Sequence, residues 1–114
     1  MSNENLNPYG ERAARLKEMA PQLVAKVRLY ATEDGGKAQP AFPGWGCPCM
    51  VTKMQPSSGY DGWQLLGDDP LYPGEERRVG FFFLSPEGAD TMLRAGHFYL
   101  WEGGFIGEAE VVED

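Results

Sequence analysis

The chain is short of the residues on which metal and nucleophile chemistry most often depends. Two cysteines and one histidine are present among 114 residues. Two cysteines cannot build the disulfide framework of a small secreted domain. With His97 added they still fall below the four ligands of a structural zinc site. Bases are scarce as well: ten Lys and Arg face seventeen Asp and Glu, for a net charge of −7. A phosphate backbone repels such a surface unless a local basic patch overrides it. The densest bases, Arg77-Arg78, Arg12…Arg15…Lys17 and Lys26…Arg28, form no such block. Nucleic acid is therefore not an expected partner. No apolar run approaches the ~20 residues of a membrane-spanning helix, so a membrane partner is not expected either. The opening Met1-Ser2-Asn3-Glu4-Asn5 lacks the basic start and apolar centre of a signal peptide, and a cytoplasmic location is expected. No Gly-x-x-x-x-Gly-Lys-Ser/Thr loop occurs, which excludes GTP hydrolysis.

What is abundant is turn chemistry. Glycine numbers 15 and proline 9, while hydrophobic residues make up 42%. That apolar content supports a packed core. Many tight turns between short strands explain the glycine and proline, and a helical bundle does not. The length suits one domain.

Asn7 and Pro8 read as a helix cap and first helical residue, with Tyr9, Ala13, Leu16 and Ala20 at helical spacing and Pro21 as the stop. Residues 1–21 thus form a tail and one short amphipathic helix, covering the barrel or docking a partner. Leu23 to Thr32 alternate with period two, the mark of a half-buried strand. Further strands are expected near Cys49–Met54, Gly62–Leu66 and Arg77–Leu84, then His97–Trp101 and Phe105–Val112. The run Val79–Leu84 is apolar on both faces, which calls for cover on its outer side. Ala38–Pro48 and Ser85–Gly88 read as loops, Pro56–Gly59 as a turn, and Thr91–Leu93 as a turn of helix. Residues 22–114 are thereby expected to form an all-β, small antiparallel barrel. Val27, Leu29, Val79, Phe81, Phe83, Phe98, Leu100, Ala109 and Val111 should be its core.

Two acid-Gly-Gly turns, Asp34-Gly35-Gly36-Lys37 and Glu102-Gly103-Gly104, stand near the two ends of this region. Between them come Pro40-Ala41-Phe42-Pro43-Gly44-Trp45, Pro73-Gly74-Glu75 and Gly96-His97-Phe98, and Ile106-Gly107 follows. In order and spacing this set resembles the third, C-terminal domain of bacterial elongation factor Tu, over residues 23–112. The resemblance implies a small closed β-barrel. In that family, arginines after the Gly-aromatic pair and after Glu-Gly-Gly belong to surfaces that meet tRNA and neighbouring domains. Here Gly46-Cys47 and Phe105 stand in their place, and only Lys37 is kept as a base.

No catalytic constellation emerges, and no cofactor is expected. Phe42, Trp45, Tyr60, Trp63 and Tyr72 put large rings into loops, where they cap a barrel end or bind a protein. Lys37 and Phe105 join them as candidate binding residues at the family's contact positions. Gly35, Gly36, Gly103 and Gly104 are structural turn residues, with Gly36 and Gly104 at or beside positive φ. Cys47 and Cys49, at i and i+2 on a strand, project to one face, and with His97 they are the weak metal or nucleophile candidates. Asp61, Asp68 and Asp69 lack the spacing of a calcium loop. The leading expectation is a non-enzymatic protein-interaction module. The alternatives are a competitor of elongation factor Tu for one of its protein partners and a cysteine-based metal protein. Self-association is a further expectation to be tested.

Overall fold

Leu23, Ala25, Val27 and Leu29 are all buried while Lys26 and Arg28 between them are exposed, so one face of this strand looks into a core. The computed structural model describes residues 10–54 and 59–112. In chain order its elements are α1 (Gly10–Leu16), β1 (Leu23–Leu29), a 3-10 turn (Thr32–Asp34), β2 (Gly46–Met50) and β3 (Tyr60–Leu65). Then follow β4 (Glu76–Phe83), α2 (Pro86–Ala95), β5 (His97–Trp101) and β6 (Phe105–Val112). The strands close into one antiparallel barrel in the order β1-β4-β3-β2-β5-β6, with β6 returning to β1. Closure leaves no unpaired edge strand. The expected all-β antiparallel barrel is what the chain forms.

The interior is built on phenylalanine. Phe98 stands edge-on to Phe81 at 5.2 Å and to Phe83 at 6.2 Å, the arrangement that ring quadrupoles favour. Every expected core residue is buried except Val111, which packs against the core from a half-buried position. Cover for the outer side of β4 comes from the N-terminal segment. Gly80 lies under Pro21, and Leu16 and Leu65 line the same depression.

The boundaries differ in several places. The cap at Asn7, Pro8 and Tyr9 lies outside the described residues, as does most of the Pro56–Gly59 turn. The first strand ends at Leu29, because Thr32–Asp34 winds into a 3-10 turn that Gly35 closes at φ 96°. The cysteine strand is Gly46–Met50, four residues earlier at its end than expected, since Gly46 to Cys49 pair with Tyr60 to Trp63 despite Pro48. A second helix replaces the expected loop and single turn after β4. Ser85 caps it by accepting from the Gly88 N–H at 3.3 Å, Pro86 occupies its first turn, and Gly96 ends it. The described residues therefore carry two short α-helices where one was expected.

The glycine pairs are alike in detail. Gly35 at φ 96° and Gly103 at φ 70° are the left-handed residues, each the first of its pair. A Cβ on Gly36 would collide with the Tyr30 carbonyl, whereas one on Gly104 meets nothing within 4 Å.

Candidate functional site

Strand β5 sends Phe98 and Leu100 inward, which turns His97, Tyr99 and Trp101 outward. An outer barrel face in water ordinarily carries polar groups. Here each outward position of β5 carries a ring. Phe105 lies opposite Trp101 in the β5–β6 ladder, and their rings meet edge-on at 4.9 Å. Tyr99 stands 6.0 Å from Phe105 and 4.7 Å from His97, again edge-on. The result is a continuous aromatic strip, half-buried along its length.

Two further groups complete this face. Tyr30, just past β1, and Lys53, just past β2, approach the strip from its flanks. The Lys53 ammonium sits 5.0 Å from the Tyr30 ring centre, 5.1 Å from that of Tyr99 and 5.5 Å from that of Phe105. Glu108 is directly opposite Tyr99 on one side and Arg28 on the other. It accepts from the Tyr30 hydroxyl at 2.9 Å and from Arg28 at 3.0 Å. Burial pushes the Glu108 carboxyl up, but the Tyr30 and Arg28 hydrogen bonds and the charge of Arg28 hold it below the usual range. The Tyr30 oxygen beside Lys53 raises that ammonium's pKa above its ordinary value, against a smaller effect of burial.

The two glycine turns meet beside the strip. Lys37 from the first donates to Glu102 of the second at 2.7 Å, and the Trp45 indole N–H donates to the other Glu102 oxygen at 3.0 Å. The Lys37 ammonium also lies 4.8 Å from the Trp45 ring centre. Its side chain is only 8% exposed, so Lys37 is a strut between turns and not a free contact residue. Burial pulls the Glu102 carboxyl up, and the bonds from Lys37 and Trp45 outweigh it and hold the carboxyl low.

The remaining sequence candidates do not gather on this face. Trp45 is buried, and Phe42 is a half-buried loop residue whose carbonyl accepts from the Trp45 N–H at 2.9 Å. Tyr60 packs against the core, next to Gly88 of α2. Trp63 lies across Gly46 on the β2–β3 side, with the Arg12 guanidinium 5.4 Å from its ring centre. Tyr72 is exposed in its turn, where its N–H donates to Glu75 at 3.0 Å. That bond foremost, with Arg77, holds the Glu75 carboxyl low. Of the seven candidate binding residues only Phe105 belongs to the strip. Tyr30, Lys53, Tyr99, Trp101 and Glu108 are site residues that sequence reasoning missed. The available signal was a ring at every second position of His97–Trp101, on the side opposite Phe98 and Leu100.

Cys47 and Cys49 do share a face, and it is the interior. The Cys49 thiol donates to the Cys47 carbonyl at 3.6 Å. Its side-chain interaction with the Cys47 thiol and then burial push the Cys49 thiol up, which leaves it a poor nucleophile at neutral pH. His97 points outward, so the three weak candidates do not converge. Among the described residues no group of three or more His, Cys, Asp or Glu is placed to hold a metal ion. Asp68 is paired with Lys17. No helix among the described residues is long and apolar enough to cross a membrane.

Fold and face together define a closed six-stranded antiparallel barrel with an aromatic, acid-flanked outer strip. No protein-family model matches the chain, and no curated protein matches it in sequence.

Proposed function

We propose that this barrel is a non-enzymatic protein-interaction module that binds through the outer face of β5 and β6. The observation that carries the reading is the row Tyr99, Trp101 and Phe105, joined by Tyr30, on the outer side of a closed barrel. Tyrosine and tryptophan give large contact area with few rotors to immobilise, which is why they dominate binding hot spots. The test is capture from a native lysate with the wild type, Trp101→Ser and Trp63→Ser. A stoichiometric partner lost with Trp101→Ser and kept with Trp63→Ser supports the reading. A partner kept by both variants, or none recovered by the wild type, overturns it.

A second reading ties the module to translation. The closed six-stranded barrel and the two acid-Gly-Gly turns, joined through Lys37 and Glu102, support kinship with the third domain of elongation factor Tu. A barrel of that kind competes with the factor for a protein partner, such as its nucleotide exchange factor or a toxin. Calorimetry with the purified exchange factor tests this, and absence of saturable heat counts against that partner.

A further inference from the structure

We propose that the three rings around Lys53 form a cation-binding cage, that Lys53 fills it in cis, and that a basic side chain of a protein partner takes its place. The inference rests on the interaction reading above and names the chemistry of the partner.

The geometry is that of a cage. A cation is attracted to an aromatic face within about 6 Å of the ring centre. The Lys53 ammonium meets that criterion against Tyr30, Tyr99 and Phe105 at once. The walls come from three places in the chain: the end of β1, the middle of β5 and the start of β6. Ladder pairing holds two of them, with Tyr99 opposite Glu108 and Phe105 opposite Trp101, and the Tyr30 N–H donates to the Ile106 carbonyl at 2.9 Å. The occupant comes from elsewhere. Lys53 lies in the segment 51–54, beyond the end of β2, where Val51 is 41% and Met54 76% exposed. Rigid walls and a surface-borne occupant are what an exchangeable plug requires.

Charge selects the class of guest. Glu108 lies under the cage, hydrogen-bonded to the Tyr30 hydroxyl, and this pushes electron density toward that ring. Glu110 follows two residues along β6, and Glu102 precedes Phe105. The chain as a whole carries −7, which steers basic segments toward it. A guest arginine has a further advantage over the resident lysine. Its guanidinium is planar, stacks on rings and is more weakly hydrated than an ammonium. Lys53 is itself exposed, so its ammonium leaves the rings for bulk water at little cost, and the guest takes its place on them.

The test uses a fluorescein-labelled hexa-arginine peptide and fluorescence anisotropy at ~150 mM salt, where long-range attraction is largely screened. Lys53→Met removes the resident ammonium, while the Arg28 guanidinium stays 5.2 Å from the Tyr30 ring centre. Lys17→Met makes the same change of net charge at a residue paired with Asp68 outside the strip. Lys53→Met should bind about two- to fivefold tighter than Lys17→Met, the range for one exposed cation–π site. Adding Tyr99→Leu or Phe105→Leu to Lys53→Met should abolish the gain. Either wall variant serves, provided its circular dichroism and melting show a folded barrel. Equal affinity for Lys53→Met and Lys17→Met overturns the cage, as does a gain that survives loss of a wall in a folded variant. If that happens while lysate capture still depends on Trp101, the cage fails and the interaction reading stands.

Discussion

Lys37 and Glu102 are 65 residues apart in the chain and 2.7 Å apart in the fold. Each belongs to an acid-Gly-Gly turn, and the pair fastens one turn to the other. Trp45 lies against both, its ring on the lysine and its N–H on the carboxylate.

Lys37→Met should therefore loosen this corner by about 1 kcal/mol, the lower range for losing a charge-assisted bond, since Glu102 is partly solvated. The Glu102 carboxyl is held low in the fold. Its contribution is thus full above the ordinary carboxylate pKa of ~4.3 and fades as pH falls through the lowered value. Melting curves should separate wild type from Lys37→Met at pH 7 and bring them together once the pH falls below the lowered carboxyl value.

The glycine turns should tolerate alanine unequally. Gly36→Ala drives a Cβ into the Tyr30 carbonyl and should cost more than about 2 kcal/mol, because a backbone atom cannot step aside cheaply. Gly103→Ala forces a left-handed residue and should cost about 1 kcal/mol. Gly104→Ala meets open space at an unstrained φ and should stay within about 0.5 kcal/mol. Urea titration of the three variants ranks them.

Gln64 points into the barrel at 1% exposure, and neither of its amide atoms has a hydrogen-bond partner among the described residues. A buried amide without partners costs about 1–3 kcal/mol. Gln64→Leu, similar in bulk, should raise the melting temperature, and a fall would show that the amide is satisfied in solution.

Transfer RNA should not bind at ~150 mM salt in a filter assay. The cations that could offset a net charge of −7 are already engaged. Lys37 is spent on Glu102, Arg28 on Glu108, and Arg77 on Glu75 and the carbonyls of Asp69 and Pro70. Saturable submicromolar binding that weakens with Lys37→Ala would refute this.

The barrel was legible in the sequence because strand alternation and turn glycines are local signals. Leu23–Leu29 and Phe98–Ala109 read directly as core because each inward residue is apolar. Helix α2 was read only as one turn at Thr91–Leu93, although Ser85, Pro86 and Gly96 mark both of its ends. Its buried residues, Gly88, Ala89 and Met92, are too few and too small to give a clear helical period. Proline in Cys47-Pro48-Cys49 hid a strand that pairing with β3 enforces. The aromatic strip was hidden for another reason. Tyr99 and Phe105 share one hairpin, but Tyr30 and Lys53 are remote from it in sequence, and only the closing of the barrel brings the four around one point.

That closing also sets an order of events. β1 pairs with β4 and with β6, and Val24 meets Val112 at the far end of the described chain. During synthesis β1 stays without one of its neighbours until the last strand emerges, so the barrel spends its assembly as an open, sticky sheet. A chain cut before Phe105 should not yield a smaller soluble barrel. It should leave the flanks of β1 and β5 exposed and free to pair with other copies.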